Sequence, residues 1–461
     1  MRAHEAGALH ADLGQPAPAW LRAPGDVNAL APELWPATVH RGPDGALTVG
    51  GVPVTALAAE HGTPAYILDE TDLRARCRDF ASAFAGSDVY YAGKAFLCKA
   101  VVRIIAEEGL NLDVCTGGEL ATALAAGMDP ARIGFHGNNK STAELAAALD
   151  AGVGRIVLDS FQEIDRLTAL ARERGVRPAV LVRVTVGVEA HTHEYIATAH
   201  EDQKFGFSLS SGAAYQAVTQ ILSDGVLELV GLHSHIGSQI FDTSGFEVSA
   251  RRVLGLQARI RDAHGVELPE LDLGGGFGIA YTSQDDPAGP AELAKRLTKI
   301  VEDECEASEL AVPRLSVEPG RAIIGPAVFT LYEVGTVKDV DGIRTYVSVD
   351  GGMSDNIRTA LYGAAYSATV ASRASTAGPT LARVVGKHCE AGDIVVQDEF
   401  LPADVRPGDL IAVPGTGAYC RSMASNYNHV PRPPVVAVTD GRSRVIVRRE
   451  TVDDLMRLDV G

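Results

Sequence analysis

A lysine, a glycine triplet, two alternating histidines and an acid followed by an arginine each close an apolar run in this chain. Lys94 ends the first such run, YYAGKAF, with Tyr90, Tyr91, Ala92 and Phe96 around it. These neighbours predict partial burial. A lysine stripped of water gives up its proton more readily, and the neutral amine can attack a carbonyl to form a Schiff base. The plainer reading is a surface lysine at a strand end.

Gly274, Gly275 and Gly276 follow the apolar run of LDLGGGFG. Without Cβ atoms, such a triplet lets backbone N–H groups approach a phosphate, although an ordinary glycine turn reads the same way. Glu318 lies in SVEPGR. A buried carboxylate there needs a cationic partner, and a protonated pyridine nitrogen or Arg321 serves equally well. His233 and His235 alternate on one predicted strand and so share a face. That suits a metal pair as well as a ring-stacking histidine, and HTH at 191–193 adds two more histidines. A zinc-dependent barrel hydrolase is therefore a rival from another class. No acidic or histidine ligand pattern clusters with the pair in sequence, however. The lysine, the glycines and EPGR suit a phosphate-bearing aldehyde cofactor.

The elements that must hold these residues repeat. Short apolar runs at 89–94, 110–115, 133–137, 155–160, 180–186, 228–235, 270–276 and 314–320 alternate with helical stretches. Continuous Val/Ile/Leu runs are expected of strands buried on both faces. Ser141 with Glu144 forms a capping-box signal ahead of one helix. Eight strand–helix units predict a (β/α)8 barrel, and no G-x-G-x-x-G follows the first strand to favour a doubly wound sheet. In a barrel, chemistry gathers at the C-terminal strand ends. The polar residues at or just past those ends are Lys94, Asp113, His136, Asp159, Arg183, His235, Gly274–Gly276, Glu318 and Arg321. After Gly325 the runs become β-like with turn residues between them. The expected organisation is a loose, partly disordered leader over 1–40, a segment over 41–70 joining the β domain, a barrel over 71–325 and a mostly β C-terminal domain over 326–461.

Bulk properties narrow the function classes. The chain of 461 residues carries a formal net charge of −18, which repels nucleic-acid phosphates and anionic lipid. No apolar run reaches membrane-spanning length, and the N-terminus has no apolar secretory core. Cys77, Cys98, Cys115, Cys305, Cys389 and Cys420 are scattered without zinc spacing, as expected of a reduced cytoplasmic protein.

The segments YAGKAF, LDVCTGGEL, HGNNKS, HEDQKFGFS, GLHSHIGSQI, LDLGGGFG, VEPGRAI, VDGGMSDNIRTALYG, GKHCEAGD and GTGAYCRSMASNYN follow in that order. Together they resemble the diaminopimelate decarboxylase family, within the alanine-racemase-like (fold-type III) pyridoxal-phosphate enzymes. The resemblance implies a barrel plus a β domain, pyridoxal 5′-phosphate as cofactor, no metal, and a homodimer with active sites shared between subunits. It implies decarboxylation of meso-2,6-diaminopimelate to L-lysine and CO2, the last step of lysine biosynthesis. By resemblance, Lys94 would carry the cofactor, His235 would stack on its ring and Glu318 would bond the ring nitrogen, with Asp113 nearby. Ser238, Gly274, Gly275 and Gly276 would hold the phosphate, with Arg321 close to phosphate or substrate. Arg358, Tyr362 and Glu390 would grip the substrate, and Tyr419 would touch both cofactor and substrate. Cys389 would deliver the proton that replaces CO2, and with Glu390 would enter from the partner subunit.

One departure is visible. Where the family usually reads C-E-S-x-D, this chain has Ala391 after Cys389 and Glu390, which removes a hydroxyl beside the proton donor. Related decarboxylases of ornithine, arginine or a carboxylated polyamine would share fold and lysine. Arg358 speaks against them, because their substrates lack a distal carboxylate. An alanine-type racemase would need a second base, typically a tyrosine, in place of Cys389. A non-catalytic pyridoxal carrier would usually lack the β domain.

Overall fold

The computed structural model describes residues 17–187, 204–340 and 343–461. The HTH run at 191–193 and the start of HEDQKFGFS lie outside the described residues. Two compact units are present. One holds 74–278 and 287–323, and the other holds the N-terminal residues to Leu73, 279–286 and 324–461. The stretch 279–286, inside the range read from sequence as barrel, thus groups with the β unit.

The first unit is the expected barrel. Its strands are β1 (Asp88–Ala92), β2 (Asn111–Val114), β3 (Ile133–Phe135), β4 (Arg155–Leu158), β5 (Ala179–Thr185), β6 (Glu228–His233), β7 (Glu270–Asp272) and β8 (Arg314–Val317). Each pairs in parallel with the next, and β8 pairs with β1 to close the sheet. All eight coincide with the apolar runs of the sequence. Closure leaves no free edge, and helices cover the outside, so both strand faces are buried. The helix Thr142–Ala151 starts with the Ser141–Glu144 capping box, and Gly152 ends it in the left-handed conformation.

The barrel interior also holds a buried cation. Arg155, on β4, pairs with Asp272, donates to Ser316 Oγ at 3.0 Å and lies 3.7 Å over the Tyr90 ring. Burial of this charge is tolerable because a carboxylate, a hydroxyl and a π-face all receive it.

In the second unit a long strand, Val328–Val340, organises the sheet. Its first residues pair with Ala65–Asp69 and with Leu410–Pro414, and its last with Arg344–Val349. Leu47, Ile67, Phe329, Leu331 and Val436 form its core together with Leu34 and Trp35. The last two fall in the range 1–40 that reads as a loose leader. There the Pro-rich context hides any strand or helix period, yet Trp35 packs 6.0 Å from Phe329, and burying two large apolar groups fixes the segment.

Candidate active site

Lys94 sits in a single 3-10 turn, Gly93–Ala95, directly past the end of β1. Tyr90, Tyr91, Ala92 and Phe96 are buried as expected, but Lys94 itself is exposed. The burial expected from its neighbours does not extend to it, because the turn replaces strand alternation after Ala92. Its positive charge acts on Asp113, Cys115, Glu119, His235 and Glu318, which places it among the other strand-end groups.

The glycine triplet is a cradle that side chains would fill. A Cβ on Gly274 would meet Ser234 O at 2.6 Å, one on Gly275 would meet Glu318 O at 2.1 Å, and one on Gly276 would meet Gly237 O at 2.3 Å. Gly274 and Gly276 also have φ of 71° and 103°, which only glycine adopts readily. Buried Asp272 accepts the Gly274 N–H at 2.7 Å, and His235 Nδ1 accepts the Gly275 N–H at 3.2 Å. That bond makes Nδ1 an acceptor and fixes the His235 tautomer as Nε2–H. Burial, with the Lys94 charge adding to it, holds the His235 pKa well below its ordinary value, so the ring is neutral. Ile240 N donates to Gly276 O at 2.9 Å, tying the loops after β6 and β7 together. Ser238 is exposed, and its Oγ accepts from Arg321 Nη2 at 2.7 Å. Arg321, which the sequence could equally pair with Glu318, is thus engaged here.

Glu318 takes histidine donors instead. His233 Nε2 lies 2.9 Å from Glu318 Oε1, and His136 Nε2 lies 3.3 Å from the same oxygen and 3.1 Å from Asp113 Oδ1. The two rings meet edge to face at 5.1 Å. Burial pushes the Glu318 carboxyl above its usual range, opposed by His136. Burial also raises Asp113 strongly and lowers His136 to about 4. The strand β6 ends at His233, so the alternation that would set His235 beside it on one strand face does not reach His235. The donor atoms of His136, His233 and Glu318 lie within 4.8 Å of one another, a cluster that sequence separation hid. Hydrogen bonding accounts for this spacing, since Nε2–H groups facing a carboxylate oxygen need no metal.

In the second unit, Arg358 is buried in the short helix Arg358–Tyr362. Its guanidinium lies 4.8 Å over Tyr281 and 5.5 Å over Tyr366, and donates to the Tyr366 hydroxyl. Tyr362, expected as an extra donor, is 65% exposed and makes none of these contacts. Tyr362 is the last residue of that helix, which the left-handed Gly363 ends, and Tyr366 lies in the non-helical stretch beyond it. Cys389 is free and exposed, Glu390 is half-buried and Ala391 is exposed. Asn428 Oδ1 accepts the Cys389 N–H at 3.1 Å. Tyr419 is half-buried with φ of 67°.

The family described as "Pyridoxal-dependent decarboxylase, pyridoxal binding domain" matches residues 70–325. A diaminopimelate decarboxylase from Mycobacterium tuberculosis (strain CDC 1551 / Oshkosh) is 60% identical over 443 residues, covering 94% of this chain and 98% of the relative. The chain belongs to the diaminopimelate decarboxylase family of pyridoxal-dependent decarboxylases. The family's enzyme from Bacillus subtilis (strain 168) is 46% identical over 427 residues, covering 92% of this chain and 97% of the relative. A crystal structure of the M. jannaschii diaminopimelate decarboxylase in co-complex with L-lysine superposes with a TM-score of 0.87 at 30% identity, covering 93% of this chain and 99% of that one. Membership brings pyridoxal 5′-phosphate as cofactor and sets aside the zinc hydrolase.

The barrel residues fit that group. The glycine cradle excludes side chains, Ser238 and Arg321 offer a hydroxyl and a guanidinium, and Asp113 Oδ2 is buried without a hydrogen-bond partner. Sequence reasoning named His136 at the rim without a role, and gave Arg155 and Asp272 none. The signal for Arg155 was a charged residue opening a buried strand, which reads equally as a strand-end surface charge.

Proposed function

We propose that this chain removes CO2 from meso-2,6-diaminopimelate to give L-lysine, the last step of lysine biosynthesis. The observation that carries the reading is 60% identity to a diaminopimelate decarboxylase along nearly the whole of both chains. When bound, pyridoxal phosphate supplies an electron sink for the pair left by departing CO2.

The chain's residues then divide the work. The Lys94 amine would hold the cofactor covalently. Gly274–Gly276, Ser238 and Arg321 would hold its phosphate, His235 would lie on the ring and Glu318 would meet the ring nitrogen, with Asp113 beside it. Arg358 is a buried guanidinium flanked by aromatic faces, suited to a carboxylate. Glu390 matches the distal ammonium, Tyr419 borders cofactor and substrate, and the exposed Cys389 thiol delivers a proton to the carbon that lost CO2. Tyr362 serves as an extra donor to the substrate, and Tyr366 steadies Arg358 through its hydroxyl. The barrel domain of 71–325, the β domain of 326–461 and the joining segment of 41–70 act in a cytoplasmic homodimer whose sites are shared between subunits. Among the described residues no helix is long and apolar enough to cross a membrane.

The test is release of L-lysine and CO2 by the purified, cofactor-loaded chain from meso-diaminopimelate, with ornithine, arginine and a carboxylated polyamine in parallel. Preference for any of these three overturns the substrate, and absence of decarboxylation overturns the activity.

A further inference from the structure

The sequence offers His233 as half of a metal pair or as a stacking ring, and the structure gives it a carboxylate partner. It is fully buried at the last position of β6, and its Nε2 lies 2.9 Å from Glu318 Oε1. Its other nitrogen, Nδ1, is buried with no hydrogen-bond partner among the described residues. These two facts fix its chemistry. A carboxylate oxygen only accepts, so Nε2 carries the hydrogen. A proton on Nδ1 would be a buried donor facing no acceptor, which costs the full desolvation of that group. The ring is therefore a neutral Nε2–H donor. Burial drives its pKa well below the ordinary value, and Arg183, His136 and Arg155 oppose a second proton there while Asp272 favours it.

Glu318 receives this donor on Oε1, the oxygen that also faces His136 Nε2 at 3.3 Å. Oε2 accepts no hydrogen bond among the described residues. The charged groups facing the carboxylate are Asp113, Lys94 and Arg155, and burial disfavours its ionised form. A buried carboxyl without donors would take up a proton, and a neutral carboxyl brings no negative charge to balance a pyridinium. We propose that His233 is a positioning residue for Glu318: as an Nε2–H donor to Oε1 it favours the carboxylate form and leaves Oε2 to accept from the cofactor's ring nitrogen. The proposal rests on the cofactor role assigned to Glu318 above. His136 shares the task less directly, because its Nε2 is divided between Asp113 and Glu318.

The experiment compares His233→Leu, His233→Gln and Glu318→Gln as cofactor-loaded protein. For each, kcat and KM are measured, along with the dissociation constant for pyridoxal phosphate and the pH dependence of the bound cofactor's absorbance. His233→Leu removes the donor at similar volume. It is expected to lower kcat about ten- to a hundredfold with KM nearly unchanged, the scale of one charge-assisted hydrogen bond. It should also weaken cofactor binding and shift the absorbance titration. His233→Gln keeps an N–H donor and should recover most of both effects. Normal kcat and an unshifted titration in His233→Leu, or equal loss in Leu and Gln variants, overturns the proposal. If Glu318→Gln is itself normal, the cofactor role of Glu318 fails first; if it is impaired while His233→Leu is normal, only the present proposal fails. Should His233→Leu not fold, nitrogen NMR of wild-type protein labelled at histidine decides, with the His233 signal assigned by its loss in the Gln variant. An Nε2–H neutral ring supports the proposal, and an Nδ1–H or protonated ring overturns it.

Discussion

The Arg358 guanidinium lies 4.8 Å over the ring of Tyr281, and among the described residues no carboxylate pairs with it. Cation–π contact and the Tyr366 hydroxyl stabilise the buried charge without neutralising it. A buried guanidinium in that state is a receptor for an anion, and its planar fork matches a carboxylate with two parallel bonds. Arg358→Lys keeps the charge and loses the fork. Steady-state kinetics on meso-diaminopimelate should show kcat/KM reduced by about ten- to a hundredfold, while melting temperature and bound-cofactor absorbance stay as in wild type. Unfolding, cofactor loss or normal turnover would make Arg358 a brace of the β unit and remove the main physical support for a dicarboxylate substrate.

Gly275 tests the cradle. Its α-hydrogen faces Glu318 O so closely that a methyl group would sit 2.1 Å from that oxygen. Backbone must move, and overpacking of this kind costs about 1–3 kcal/mol. The clash is with the backbone of Glu318 itself, so Gly275→Ala should weaken pyridoxal phosphate binding as well as lower the unfolding midpoint. Gly255, inside the helix Ser244–His264 with nothing within 4 Å of an added Cβ, is the control. Gly255→Ala should bind cofactor normally and gain about 0.5–1 kcal/mol from helix propensity. Equal cofactor affinity in both variants would show that the close approach is not needed for binding.

The barrel was legible because each strand is a continuous apolar run, and eight runs at a regular period admit few architectures. Strand-end placement was legible for Lys94, Glu318 and the glycine triplet, each of which follows a barrel strand. What escaped was anything set by pairing across the barrel. Arg155 and Asp272 lie 117 residues apart, and neither has a sequence neighbour that announces the other. The exposure of Lys94 was missed for a local reason, since strand alternation was extended over residues that form a 3-10 turn. The Arg358–Tyr366 contact was hidden because the left-handed Gly363 ends the helix between them, so helical spacing does not predict it.

His136 makes stability pH-dependent with a definite sign. Burial lowers its folded pKa from 6.5 to about 4. Between those values the unfolded chain binds a proton that the folded chain refuses, so stability is full above pH 6.5 and is lost as pH falls toward 4. The loss from this one group between pH 7 and pH 5 is about 2 kcal/mol. His233 and His235 are shifted the same way and steepen the fall. Asp113 and Glu318, with raised pKa values, act oppositely by losing stability as pH rises. Urea unfolding of His136→Gln at both pH values should show a smaller difference than wild type by about that amount. An unchanged difference would mean that His136 is protonated in the folded chain at pH 5.

Lys94 and Cys389 lie in different compact units and are assigned here to the same reaction. The homodimer with shared sites proposed above makes that assignment testable without any further structure. Lys94→Ala and Cys389→Ala should each be inactive, one for want of the amine that holds the cofactor and the other for want of the proton donor. Borohydride reduction of wild type should first place the label on Lys94, since a tag on another lysine would undo the premise. Mixed under subunit exchange, the two variants form hybrid dimers in which one site has both residues wild type and the other has neither. Statistical mixing makes half the dimers hybrid, each with one of two sites intact, so activity should approach about a quarter of wild type. If both residues served a site within one chain, every site in the mixture would lack one of them. No recovery despite proven exchange would therefore place Cys389 in the same chain's site as Lys94 and leave the dimer without a catalytic role.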